Sequence, residues 1–216
     1  MTISNQARDR VKGVFEPIAL ALGRLGLTPD GLTLLGFAIT VGGAALIALQ
    51  YWTIGGVVIL AGGIFDMFDG TLARATGRVS RWGAFMDSVF DRSGEAIVYL
   101  AIVVGSAIDE HTRVPILAAA AMGSAFMVSY VRARAEGLGF SAGRGMAAVG
   151  LMPREVRLVI LAIGLILADA PHIKALEISL GIITIGATLT VIQRMLHVRA
   201  QAIRQAIDQP TEQEQT

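Results

Sequence analysis

Residues 65–96 read FDMFDGTLARATGRVSRWGAFMDSVFDRSGEA and lie between strongly apolar stretches of the chain. Four aspartates stand in this segment, namely Asp66, Asp69, Asp87 and Asp91. A carboxylate at membrane depth is costly unless a partner compensates its charge. The segment therefore predicts a functional site in which the four carboxylates bind a positively charged partner.

Composition predicts the environment of this site. The chain has 216 residues, of which 54% are hydrophobic and 16% are charged, and its mean hydropathy is +0.63. Soluble domains contain about 25% charged residues, so we expect an all-α integral membrane protein with no nucleic-acid partner. The chain has no cysteine, which excludes disulfides, thiolate metal sites and a cysteine nucleophile.

Hydropathy predicts six transmembrane helices preceded by an amphipathic helix in the membrane interface. A span takes about 20 residues, and the six apolar stretches lie near residues 32–50, 53–72, 84–107, 114–135, 155–170 and 175–195. Residues 5–25 place apolar side chains at helical spacing, which is typical of an interfacial helix. We expect residues 1–207 to form a single domain and residues 208–216 to be a disordered polar tail.

The distribution of Lys and Arg predicts the orientation of the spans. Six spans put both termini on one side, and fifteen Lys and Arg residues fall on that side, against Arg113 and Lys174 on the other. Arg92 lies inside the third span and is assigned to neither side. Positive residues mark the cytoplasmic face. We therefore expect a multi-pass protein of the plasma membrane whose termini, 73–82 loop and aspartates are cytoplasmic.

The spacing of the aspartates predicts a metal centre. Asp66 and Asp69 are three residues apart and Asp87 and Asp91 are four apart, so each pair shares one helical face. The loop between spans two and three is short, which favours antiparallel neighbours whose four carboxylates converge. Oxygen ligands without His or Cys suit Mg²⁺, with Mn²⁺ as the alternative. Four carboxylates suffice for two such ions, as in phosphoryl transfer.

The segment resembles the signature of the CDP-alcohol phosphotransferase family, also called CDP-alcohol phosphatidyltransferases. The matching pattern is Asp66-x2-Asp69-Gly70-x2-Ala73-Arg74-x8-Gly83-x3-Asp87-x3-Asp91. The resemblance extends over about residues 10–200, since six spans after an interfacial helix are typical of the family. It implies an enzyme that transfers a phosphate-linked group from a CDP-activated donor to an alcohol and releases CMP.

The resemblance also implies roles for individual residues. The four aspartates become ligands of a two-metal centre, and Asp91 becomes the general base. Donor contacts fall on Pro29, Asp30, Thr33, Gly70, Ala73, Arg74, Ser80 and Gly83. For residues 26–33 an alternative stays open, in which Thr28 or Asp30 caps the first span and Pro29 occupies its opening turn.

Arginines beyond the signature predict an acceptor that carries a phosphate. The planar guanidinium binds phosphate with two donors at once, and we assign this role to Arg132, Arg157 and Arg194, with Arg134 as the alternative to Arg132 and Arg154 to Arg157. These segments resemble the family branch that makes phosphatidylinositol phosphate, or its archaeal ether-lipid counterpart, from CDP-diacylglycerol and inositol phosphate. Serine carries no phosphate and needs no such pocket.

Several other functions stay open at the level of sequence. The first is synthesis of phosphatidylglycerophosphate, which uses glycerol 3-phosphate and the same basic pocket. A divalent-cation transporter is disfavoured because the acidic residues cluster at one face, while Asp109, Glu110 and Asp169 lie in far loops. A non-catalytic lipid-binding protein would not need the whole signature. Expected partners are a CDP-lipid, a phosphorylated alcohol, membrane lipid and a second copy of the chain, since residues 55–63 are rich in Gly.

Overall fold

The structure, a computed structural model, describes residues 15–107, 113–140, 149–170 and 174–208. Every regular element in these ranges is a helix. Helix α1 is described over residues 15–24, and the others are α2 (Pro29–Ala48), α3 (Trp52–Ala75), α4 (Arg81–Ala107), α5 (Arg113–Gly137), α6 (Arg154–Ile166) and α7 (Ala175–Asp208). The predicted all-α architecture is confirmed.

Local sequence signals set the helix ends that surround the aspartates. Thr28 caps α2, because its hydroxyl accepts the Gly31 N–H at 3.1 Å. Helix α3 ends at Ala75, and Gly77 in the following turn has a φ of 66°, a backbone conformation that glycine adopts without strain. The Arg78 N–H returns to the Ala73 carbonyl at 2.9 Å. Helix α4 starts after Ser80, whose hydroxyl accepts the Gly83 N–H at 2.9 Å. A short turn therefore joins the ends of α3 and α4.

The six longer helices pack as a closed ring in the order α2, α3, α6, α7, α5 and α4. This order corrects the expectation that the second and third spans are antiparallel neighbours. Among the described helices, α3 and α4 are not one of the pairs that pack extensively, because α2 packs against both. The two helices approach each other near their connecting turn, which leaves room for cavities between them.

Four helices are long and apolar enough to cross a membrane by length and composition, namely α2, α3, α5 and the first 31 residues of α7. Large apolar side chains such as Ile54, Ile116 and Ile185 are exposed on their outer faces, as expected for contact with lipid. Helix α6 has 13 residues and is about 20 Å long, shorter than the predicted span 155–170. The first half of α4 carries Asp87 and Asp91 of the signature, together with Arg81 and Arg92. The structure thus supports a membrane protein.

Helix α1 lies against the end of the ring that carries the aspartates. Its Ala19 is fully buried and packs in a small core with Leu32, Phe68 and Leu72. Residues 5–14 of the predicted interfacial helix lie outside the described residues. The same holds for the predicted tail, except that Asp208 is the last residue of α7.

Candidate active site

Three of the four predicted metal ligands lie together. Carboxylate oxygens of Asp66, Asp69 and Asp87 are all within 4.8 Å of one another. Asp66 and Asp69 share a face of α3, and Asp87 faces them from the second turn of α4. The convergence that the spacing predicted is therefore present for these three side chains.

Asp91 lies one turn further along α4 and is paired with an arginine. Its Oδ1 is 2.8 Å from Nη1 of Arg154, and the same Nη1 donates to Oδ2 of Asp66 at 2.9 Å. The guanidinium of Arg92 is 3.8 Å from the other oxygen of Asp91. Arg154, the first residue of α6, thus connects Asp91 to the three clustered carboxylates.

The donor set of this cluster fits a hard divalent cation. Asp66, Asp69 and Asp87 offer only oxygen atoms, and Mg²⁺ and Mn²⁺ prefer oxygen to sulfur or imidazole. Asp69 is 7% exposed, and its Oδ2 accepts the Thr33 hydroxyl at 2.6 Å, while Oδ1 accepts the Gly70 N–H. These bonds hold the carboxylate in place, as the supporting shell of a metal site does.

A cavity of about 280 Å³ opens beside the carboxylates, between the start of α2, the end of α3 and the start of α4. All eight residues that the sequence assigned to the donor line it, together with Asp69, Arg78, Val79, Ala84 and Asp87. The alternative interpretation of residues 26–33 is confirmed, since Thr28 caps α2 and Pro29 opens it, while the donor role of these residues stays a prediction. The cap and the cavity wall are therefore built from the same short segment.

Part of the wall of this cavity combines small residues with arginine. A Cβ added at Gly70 would lie 3.2 Å from Nη1 of Arg74, so the guanidinium lies close over the glycine backbone. A Cβ at Gly83 would lie 3.1 Å from the Ser80 hydroxyl and 3.3 Å from Asp30 Oδ1. The absence of these side chains leaves backbone accessible next to a cation, an arrangement suited to a phosphate-bearing ligand.

A second and larger cavity, about 720 Å³, lies between α4 and α5 on the other side of the carboxylates. Asp87 and Asp91 line it together with the predicted acceptor residue Arg132. The guanidinium of Arg132 is 2.9 Å from Glu136 Oε1, and both side chains are about two-fifths exposed. Because Asp87 also lines the donor cavity, the carboxylate cluster lies between the two cavities.

The other two predicted acceptor arginines are buried and hold backbone or carboxylate partners. Arg157 is 1% exposed, and its Nε and Nη2 donate to the two carboxylate oxygens of Glu95 at 2.8 Å each. Arg194 is 3% exposed and donates to the carbonyls of Val149 at 2.9 Å and Val128 at 2.6 Å. The three predicted arginines are therefore not gathered around one open cavity.

Two residues of the site were not assigned by sequence reasoning. Arg154 appeared there only as the alternative to Arg157, yet it is the arginine that contacts Asp66 and Asp91. Glu95 follows Asp91 by four residues and therefore continues the face of α4 that carries Asp87 and Asp91. That spacing was available in the sequence, whereas the pairing of Glu95 with Arg157 joins residues 62 positions apart.

Sequence comparisons place similar proteins in one family. The family model described as CDP-alcohol phosphatidyltransferase matches residues 26–193. An archaetidylinositol phosphate synthase from Pyrococcus horikoshii is 35% identical over 90% of this chain and 96% of its own length. A phosphatidylinositol phosphate synthase from Cutibacterium acnes is 38% identical over 86% of this chain and 92% of its own length.

Solved structures agree with the sequence relatives. The phosphatidylinositol phosphate synthase of Mycobacterium tuberculosis with CDP-DAG bound superposes with a TM-score of 0.74 at 31% identity, covering 86% of this chain and 93% of that one. The same enzyme in complex with manganese and citrate superposes with a TM-score of 0.75 at 32% identity, covering 86% and 88%. The extent of these matches, together with the carboxylate signature, makes this chain a member of the CDP-alcohol phosphatidyltransferase family.

Proposed function

We propose that this protein transfers a phosphatidyl group from CDP-diacylglycerol to inositol phosphate, forming phosphatidylinositol phosphate and CMP. The observation that carries the proposal is the position of Asp87, which lines both cavities. Donor and acceptor can then meet at one carboxylate cluster. The names of the sequence relatives and of the structural neighbour support this choice of acceptor and donor.

In this proposal Asp91 is the general base. Its carboxylate takes the proton from the acceptor hydroxyl, and the resulting oxygen attacks the phosphorus that carries the diacylglycerol. The bond between that phosphorus and the bridging oxygen of CMP breaks, and CMP leaves as a phosphate monoester. The position of Asp91 in the wall of the acceptor cavity supports this role.

The proposed cofactor is a pair of Mg²⁺ ions, with Mn²⁺ as the alternative. Asp66, Asp69, Asp87 and Asp91 would hold them, and the first three already lie close together. When bound, the ions would supply positive charge that stabilises the attacking oxygen of the acceptor and the leaving oxygen of CMP. Around them, Arg74 and the small residues Gly70 and Ala73 bind and orient the CDP group, and Pro29, Asp30, Thr33, Ser80 and Gly83 complete its cavity.

We infer that Arg154 and Arg132 bind the acceptor phosphate, with Arg154 in the role first assigned to Arg157. Arg154 contacts the proposed base directly, and Arg132 lines the cavity that the acceptor enters. A phosphate competes well for a guanidinium that is shared between two carboxylates, because it offers two anionic oxygens to the planar fork. Arg157 and Arg194 then stabilise the structure around the acceptor site through their buried hydrogen bonds to Glu95 and to backbone carbonyls.

We further propose six membrane spans, formed by α2 to α7, with α1 in the interface. Both termini and both cavities face the cytoplasm of a plasma-membrane protein. Lys and Arg counts support this orientation. It allows the acyl chains of the donor to stay in the bilayer while the CDP group reaches the carboxylates. A homodimer is proposed from the small-residue run at 55–63, which permits close helix packing.

The decisive experiment is CMP release by the purified protein with CDP-diacylglycerol and Mg²⁺, comparing inositol phosphate, glycerol 3-phosphate, serine and free inositol. We expect release with inositol phosphate, loss on adding EDTA and recovery on restoring Mg²⁺ or Mn²⁺. Release with glycerol 3-phosphate alone would retain the mechanism and replace the acceptor. Release that is insensitive to EDTA would contradict the metal centre.

A further inference from the structure

The segment of residues 149–153, which leads into α6 and delivers Arg154, is bound by a side chain of α7. The hydroxyl of Thr190 accepts the N–H of Leu151 at 3.1 Å and the N–H of Met152 at 3.0 Å. It donates its own proton to the Gly186 carbonyl at 2.8 Å. Thr190 is 0% exposed, and its hydroxyl satisfies a buried backbone donor at Met152 and a partly buried one at Leu151.

The same part of α7 is shaped to receive the segment. Gly150 has φ of 118°, and a Cβ added there would collide with the side chain of Thr190. A Cβ added at Gly186 would lie 2.5 Å from Cε of Met152, so Met152 packs directly on the α7 backbone. We call the contact of residues 150–152 with Gly186 and Thr190 the α7 latch.

Two buried arginines extend the latch to other helices. Nε of Arg194 donates to the Val149 carbonyl at 2.9 Å, and Nη1 of Arg157 donates to the Met152 carbonyl at 2.9 Å. Arg157 is in turn held by Glu95 of α4. The start of α6 is therefore located relative to both α7 and α4, the helix that carries Asp91.

We propose that Thr190 is a positioning residue for Arg154 and that the α7 latch sets the affinity for the acceptor phosphate. The inference rests on the proposed function, in which Arg154 binds that phosphate. Thr190 is not among the residues that line either substrate cavity, so it acts through the segment it holds. Arg154 follows Met152 by two residues, and a shift of the segment moves its guanidinium relative to Asp66 and Asp91.

The test compares Thr190→Val, which keeps the shape and removes the hydroxyl, with Thr190→Ser, which keeps the hydroxyl. We expect Thr190→Val to raise the acceptor KM about tenfold, as loss of buried hydrogen bonds can, with the donor KM within about twofold of wild type. Thr190→Ser should retain the wild-type acceptor KM. Thr188→Val is the matched control, since Thr188 is exposed on the same helix and its hydroxyl donates to the Thr184 carbonyl.

A double-mutant cycle separates positioning from general stability. If Thr190 acts through Arg154, then Thr190→Val adds less than about a twofold change in acceptor KM when Arg154→Gln is already present. Additive effects in the cycle would overturn the proposal. So would an equal rise of both KM values in Thr190→Val. If Thr190→Val does not fold, Thr190→Ala replaces it, and unfolding of both would assign Thr190 to stability and overturn the positioning role.

Hydrogen exchange of the peptide that contains residues 149–154 gives a readout independent of activity. We expect faster exchange of the Leu151 and Met152 amides in Thr190→Val than in wild type or Thr188→Val, because the two amides lose their acceptor. Unchanged exchange would contradict the latch even if the enzyme is active. Absence of CMP release by wild type with inositol phosphate would instead contradict the proposed function, so the two failures are distinguishable.

Discussion

At the scale of single residues, the carboxylates of the site differ in the groups that contact them. Asp69 accepts a hydroxyl and a backbone N–H, whereas Asp91 is paired with Arg154. A carboxylate that is held by neutral donors suits a fixed metal ligand, and one whose partner can move to an incoming phosphate suits a base. The surroundings of Asp69 and Asp91 support the different roles proposed for these two side chains, whereas Asp66 shares the Arg154 contact with Asp91.

Asp91→Asn tests the proposed base. We expect kcat to fall about 10²–10⁴-fold, because the amide cannot take a proton from the acceptor hydroxyl. Binding of CDP-diacylglycerol and the melting temperature should stay close to wild type, since the side chain keeps its size. CMP release and donor binding, measured on the same preparation, check this, and near-normal turnover would rule out the assignment.

Arg154→Gln and Arg157→Gln should fail in different ways. Arg154→Gln removes the proposed phosphate ligand, so we expect a large rise in acceptor KM, with a smaller loss of stability than in Arg157→Gln because the Arg154 side chain is one-third exposed. Arg157→Gln leaves the Glu95 carboxylate buried without its partner, which costs about 3–5 kcal/mol of unfolding free energy. Thermal melting and steady-state kinetics on both variants distinguish the two roles. An acceptor-specific defect in Arg157→Gln alone would return the role to Arg157.

At the scale of helices, close packing depends on glycine where α2 and α4 meet. A Cβ added at Gly105 of α4 would lie 2.5 Å from the Ile47 carbonyl oxygen of α2. Backbone cannot move aside as a flexible side chain can, so the helices would have to separate. The α2–α4 contact is the one that places Thr33 and Asp87 around the same cavity.

Gly105→Ala should therefore destabilise the protein by about 1–3 kcal/mol, the usual cost of overpacking a core. Gly123→Ala in α5 is the matched control, since no atom lies within 4 Å of a Cβ added there. We expect the control to be neutral or slightly stabilising, because alanine is a better helix former. Melting temperatures in one detergent check the pair, and equal effects would contradict the close approach.

At the scale of the whole molecule, the helix ring places the two cavities and the carboxylates at one end. Helix α2 packs between α3 and α4, and the turn at residues 76–80 holds the ends of these two helices together. The carboxylates of both helices can converge there although the helices do not pack along their length.

Cysteine labelling tests the proposed orientation, and the chain has no native cysteine to interfere. Arg134→Cys is placed at the end of the predicted fourth span, and Lys174→Cys lies between α6 and α7, where the lysine side chain is 68% exposed. In intact cells, an impermeant maleimide should label Lys174→Cys and leave Arg134→Cys unlabelled until the membrane is opened. The reverse labelling pattern would contradict the proposed orientation and place Arg134 on the outer side of the membrane.

The sequence by itself determined the helical membrane class, the approximate positions of the helices and the carboxylate signature, together with eight residues that line one cavity. Hydropathy, helix caps and the i, i+3 and i, i+4 spacings are local, so they can be read along the chain. Only the tertiary structure decided that α2 separates α3 from α4, and that Arg154 rather than Arg157 reaches Asp91. The contacts of these two arginines join residues 60 or more positions apart. Arginines three residues apart on α6 have the same local pattern, and only packing assigns one of them to a buried glutamate and the other to the cluster.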